Sequence, residues 1–146
     1  MNPDEKREEK WSMEAMLSTM WVFVMLNMLF ADIFTFMIPG FLKELMTGYA
    51  GEIQITQGFL LGAAMLAEIP IAMVLLSRVL NYRANRWTNI VAGVITIAYV
   101  IVGGSATLPY IFFAIAEVAC MALIVLLAWK WPKPERLAVS IRGQRP

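Results

Sequence analysis

Residues Gln57–Arg78 read QGFLLGAAMLAEIPIAMVLLSR, an apolar stretch long enough to cross a bilayer, with a carboxylic acid, Glu68, near its middle. Pro70 follows two residues later and has no N–H, so the carbonyl of Leu66 loses its helical partner. In hydrocarbon both groups are costly unless they face protein or water; translocon scales place a charged Asp at about +2.5 to +3.5 kcal/mol at a helix centre. The stretch therefore predicts a spanning helix with a polar focus that other helices must meet.

The composition agrees with a membrane class. Of 146 residues, 60% are hydrophobic and only 16% are charged, whereas a soluble domain carries about a quarter charged residues. The formal net charge of +1 implies nothing about nucleic acid. No histidine is present, which excludes His-based metal sites, haem ligation and Ser-His or Cys-His catalysis. The lone Cys120 cannot form an intramolecular disulfide. No cofactor, metal site or enzymatic activity is expected, although acid/base work by carboxyls alone stays open.

Working outward, four apolar segments emerge: 16–38, 55–80, 88–105 and 109–131. The expected fold is all-α, a polytopic membrane protein of four transmembrane helices in an antiparallel bundle. Residues 1–15 and 132–146 read as polar tails. The acidic-basic run before the first segment, with no small-residue cleavage site, marks that segment as retained. Pro39-Gly40 ends it. Between the first two spans, Phe41, Leu42, Leu45 and Met46 recur at helical spacing, predicting a short interfacial helix over 40–48 with Gly48 as its C-cap. Gly58 and Gly62 form a small-xxx-small pair that predicts close approach to a neighbouring helix. Asn81–Trp87, NYRANRW, reads as a tight polar turn. The very short link 106–108 makes the last two spans antiparallel neighbours.

Of the twelve lysines and arginines, only Lys43 falls outside the N-terminal tail, the second link and the C-terminal tail. The positive-inside rule then places both termini in the cytoplasm, the orientation expected in an inner (plasma) membrane. All five tryptophans fall toward that side, as an interfacial belt would.

Depth follows from about 1.5 Å per residue. Asp32, Glu68 and Glu117 come out in one layer slightly outside the midplane, on three different helices. Thr96 and Tyr99 reach the same layer from the third span and can donate hydroxyl hydrogen bonds to the acids. Asn27 lies about 140° around the first helix from Asp32 and reads as interhelical glue. With no Lys, Arg or His inside any span, either a proton neutralises at least one acid or a cation from outside completes the site. The expected binding residues are therefore Glu68, Glu117 and Asp32, supported by Asn27, Pro70, Thr96 and Tyr99. Tyr110, seven residues before Glu117, reads as an interfacial tyrosine and Cys120 as packing.

The returning helix of each pair carries Ala-Glu (Ala67-Glu68, Ala116-Glu117), the pattern a parallel duplication would leave. The segments MLSTMWVFVMLNMLFADIF, GFLKELMTG, IQITQGFLLGAAMLAEIPIAMVLLSRVLNYRANRW and YIFFAIAEVAC resemble a family of small bacterial four-helix membrane proteins known only as a domain of unknown function, over about residues 14–132. The resemblance implies the fold and carries over no functional residue. In size and layout alone the chain is also similar to small multidrug-resistance transporters, whose essential acid lies in the first helix near the membrane centre, deeper than Asp32 here.

Two functions compete at this level. One is a proton- or cation-coupled small transporter or ion-handling protein using intramembrane carboxylates, for a proton, a cation or a small amphipathic ligand. The other is a non-transporting accessory or assembly subunit whose acids bind a partner membrane protein. Besides the lipid bilayer, a homo-oligomer or a membrane-protein partner is expected, because four spans enclose little space.

Overall fold

Local capping decides where the helices begin. The computed structural model describes residues 12–131. The first helix, α1 (Met13–Phe36), starts at Ser12, whose hydroxyl accepts the Ala15 N–H. A one-turn helix, α2 (Phe41–Leu45), and a hairpin of β1 (Tyr49–Ala50) and β2 (Ile53–Gln54) follow. The next long helix, α3 (Gln57–Val79), starts at Thr56, which accepts the Phe59 N–H. Asn81 does the same for α4 (Tyr82–Val102) through the Ala84 N–H. The last helix, α5 (Leu108–Lys130), has Pro109 in its first turn, where a missing N–H costs nothing.

The four long helices are each long and apolar enough to cross a membrane. They form an all-α ring in the order α1, α3, α4, α5, closed by contact of α5 with α1. The diagonal pairs α1–α4 and α3–α5 do not touch through their backbones, so the middle of the bundle depends on side chains. Both described chain ends lie at one end of the bundle. The α2–hairpin connection lies at the other, called here the hairpin end.

Several expectations need correction. The segment NYRANRW is not a turn but the start of α4, and the link to α3 shrinks to Leu80 and Asn81. Its polar residues stay helical because α5 offers partners: Tyr82 Oη donates to the Trp131 carbonyl at 2.8 Å, and Arg86 Nη2 to the Trp129 carbonyl at 3.0 Å. Those carbonyls carry the negative end of the α5 dipole, which favours a cation there. The interfacial helix is shorter than expected, because a hairpin takes over after Gly48. Positive φ at Gly48 and Gly51 turns the chain, and Glu44 Oε1 accepts the Gly51 N–H at 2.8 Å. Trp21 belongs to no interfacial belt; it is fully buried between the helices. Trp87 and Trp129 are exposed; Trp11 and the C-terminal tail lie outside the described residues, as does the N-terminal tail up to residue 11, and the rest of that expected tail, from Met13, is the start of α1.

The close helix approach expected at Gly58 and Gly62 is absent within the chain. Nothing lies within 4 Å of a Cβ built at Gly62, and only the Thr56 hydroxyl, at 3.9 Å, at Gly58. Gly93 takes that role instead. A Cβ there would sit 2.7 Å from Val125 Cγ2, so α4 and α5 pack as closely as they do only because position 93 has no side chain. Around this contact the core holds Leu17, Trp21, Val24, Met73, Met121 and Ile124. Gly93→Ala should therefore destabilise the bundle by about 1–3 kcal/mol through overpacking. Val125→Ala in the same chain should recover much of that loss, as read from unfolding in detergent; an additive double variant would contradict the contact.

Candidate functional site

The two ends of the bundle interior are built differently. Toward the chain ends a hydrogen-bonded cluster crosses the α1–α4 diagonal. Trp21 Nε1 donates to Asn89 Oδ1 at 2.7 Å, and Ser77 Oγ donates to the same oxygen at 3.3 Å. Asn89 Nδ2 donates to the carbonyl and to the Oδ1 of Asn85, at 2.9 and 2.6 Å. Asn85 Nδ2 donates in turn to the Ser77 carbonyl at 2.7 Å. Nearby, Ser18 Oγ donates to the Val74 carbonyl and accepts Arg78 Nε. Trp21, Ser77, Asn85 and Asn89 are all fully buried. Three helices are tied at one level, and the interior there is sealed by paired polar groups.

Toward the hairpin end the interior opens into a cavity of about 300 Å³. Small residues make the room: Ala31 on α1, Ala67 on α3 and Gly103 just beyond α4 all face it. Two carboxyls line it, Asp32 from α1 and Glu117 from α5, with Tyr99 and Tyr110. Pro70 lines it from α3, which continues unbroken through the proline. Asp32 is exposed, whereas Glu117 is 2% exposed, so the cavity leads inward from Asp32 to Glu117. Met25, Met28, Leu29 and Ile71 supply apolar wall. No lysine or arginine lines it.

Hydrogen bonding around the cavity is incomplete. Glu117 Oε1 and Thr96 Oγ1 are buried and have no partner among the described residues. Gly93 meeting Val125, and Gly104 meeting the Tyr110 ring, fix the α4–α5 register and bring Thr96 within a turn of Glu117. Most buried polar atoms are paired in folded proteins, and unpaired ones cost about 1–3 kcal/mol. Tyr110 is held in place: its hydroxyl donates to the Val100 carbonyl at 2.7 Å, and Gly104 leaves space for its ring.

Some of the expected residues come together and others do not. Asp32, Glu117, Pro70 and Tyr99 come together at the cavity, and Thr96 is buried at the level of Glu117. Asn27 does not bridge helices; its Nδ2 donates to the Phe23 carbonyl of its own helix at 2.8 Å. Glu68 does not converge with the other two acids. It is exposed and lies about 140–180° around α3 from the buried Pro70, Met73 and Ser77. The matching Ala-Glu pairs thus end in opposite environments. Tyr110, expected as an interfacial tyrosine, lines the cavity instead; the signal that could have found it is its seven-residue spacing from Glu117, which puts both on one face. The Trp21–Asn89 cluster had no such signal, since it joins residues 68 apart in sequence.

Comparison with known families gives a match over residues 5–138, nearly the whole chain, to the family of unknown function DUF6326. The chain belongs to that family. No curated protein and no solved structure matches it. Membership in DUF6326 assigns no residue a role. Among the described residues, no group of three or more His, Cys, Asp and Glu could hold a metal ion.

The seal between cavity and chain ends is open to a direct test. Asn89→Leu removes the acceptor of both the Trp21 N–H and the Ser77 hydroxyl, and should cost about 1–2 kcal/mol. Unfolding in detergent reads the loss, and a red-shifted tryptophan emission reports water reaching Trp21. Unchanged stability and emission would show that the cluster seals nothing.

Proposed function

We propose that this protein binds a proton, a small cation or a small cationic amphipathic molecule between Asp32 and Glu117, and carries it across the membrane. The observation that carries the proposal is the buried Glu117 carboxyl, whose Oε1 has no hydrogen-bond partner among the described residues, beside a cavity lined by a second acid and by no described basic side chain. A carboxylate in a low-dielectric wall needs a compensating positive charge, and a proton or a bound cation provides it. The Tyr99 and Tyr110 rings can face a cation, and their hydroxyl oxygens can accept hydrogen bonds from one. Methionine and leucine walls suit an alkyl portion, because the thioether chain adapts its shape. The volume is at the small end of the usual range for ligand pockets, about 300–1,000 Å³.

Carriage requires access from both sides in turn. In the present conformation the site is approached past Asp32, and the Asn89 cluster closes the opposite end. Opening that end means separating α3 from its neighbours. Pro70 favours this, because the helix bends most easily where the Leu66 carbonyl has no donor. The contact of α3 with α4 is also the least extensive around the ring.

The test uses purified protein in liposomes under an imposed pH gradient, with internal pH followed by a fluorescent dye. Sodium, potassium and tetraphenylphosphonium serve as the probe cations. At least one should dissipate the gradient about ten-fold faster than in empty liposomes. Glu117→Gln should abolish that gain and Asp32→Asn should weaken it, whereas Glu68→Gln, outside the cavity, should retain it. Flux equal to that of empty liposomes for every probe, or full activity in Glu117→Gln, would reject carriage at this site.

A further inference from the structure

Glu68 is the central residue of α3 and exposed, so in a bilayer it would meet the middle of the hydrocarbon. It sits in a row with Leu61, Met65, Ala72, Leu75 and Val79, alternately four and three residues apart, the spacing of a coiled-coil seam. Leu61 is 63% exposed and Val79 79%, so no other described part of the chain covers either end of this row. Each spanning helix turns some such row outward, and an apolar row suits lipid. The row on α3 is set apart by a carboxyl at its centre. Beside it, Gly58 and Gly62 leave an open flank.

We propose that a second copy of this chain packs against this row, α3 against α3, in a two-fold dimer whose axis runs along the membrane normal. The occupant is specified by the chemistry of Glu68 and by symmetry. A protonated carboxylic acid is both donor and acceptor, so two such carboxyls satisfy each other as a neutral pair without any basic group. An isologous interface sets each residue near its own counterpart, which brings the two Glu68 side chains to equal depth. Ala72, one turn away, leaves room for the backbones to approach. Chains with the same cation bias insert in the same direction, so the two helices run parallel. The dimer is distinct from the cavity of Asp32 and Glu117, which opens on another side of α3 and is complete within one copy.

Disulfide cross-linking in membranes tests this in a Cys120→Ala background. Leu75→Cys and Val79→Cys should each give a dimer of this chain under mild oxidation. Val94→Cys on α4 and Ile115→Cys on α5, equally outward, should not. Val79→Cys also reports direction, because in an antiparallel pair the two cysteines would lie at opposite membrane faces. Adding Glu68→Ala should lower the cross-linked fraction about ten-fold, whereas Glu68→Gln, whose amide also donates and accepts, should keep it. Four results would each overturn the proposal: no adduct, equal adducts from the control positions, an adduct only with a different protein, or an adduct insensitive to Glu68→Ala.

Discussion

Hydrocarbon offers a polar group no hydrogen bond, so every polar side chain in the four spans must find its partner within protein or reach water. Most of the internal arrangement follows from this. Thr19, Asn27 and Thr35 take the nearest solution and donate to carbonyls four residues back in α1. Trp21, Ser77, Asn85 and Asn89 cannot do so, because they face the bundle centre, and they pair with one another across three helices. Such shared bonds are modest individually, but they admit few alternative registers and so specify how α1, α3 and α4 meet.

The same constraint explains why the interior is divided. A ring of four helices leaves a gap between diagonal partners. At the chain-end side the Trp21 indole fills it, reaching from α1 to Asn89 on α4. At the hairpin end the facing positions are Ala31, Ala67 and Gly103, and small residues opposite one another leave volume. Into that volume the chain directs two acids, two tyrosines and apolar wall. One half of the bundle interior holds the paired Trp21–Asn89 cluster; the other is hollow and acidic, with Glu117 Oε1 left unpaired among the described residues.

Glu68 and Glu117 show how little an identical local motif determines. Both follow alanine and lie within a 23-residue helix that runs back toward the chain ends. Glu117 faces α1 and α4 because Met121, Ile124 and Ala128, on the same side of α5, are core residues. Glu68 faces outward because Pro70, Met73 and Ser77 take the inward side of α3. A duplication of sequence pattern has not given a duplicated site. The acids are thus divided by environment, one pair lining the interior cavity and one residue on the outer face.

Much of the fold was legible in the amino-acid order, because spanning segments are recognised by length and apolarity, both local quantities. Four helices, their alternating direction and the connecting turn at Pro39-Gly40 all followed from composition and spacing, whereas the short helix ends at Leu45 with Met46 as its C-cap and not at Gly48. The helix positions of Asp32, Glu117, Thr96 and Tyr99 followed likewise, since rise along a helix is fixed. What local order could not decide was rotation. Which side of each helix faces inward depends on neighbours distant in sequence, and in lipid both sides are apolar, so the usual contrast between a greasy core face and a polar surface is missing. Tertiary packing alone therefore turned Glu68 outward and buried Trp21 beside Asn89. It also moved the close helix contact from Gly62 to Gly93, and left a hollow where Asp32 and Glu117 share one wall.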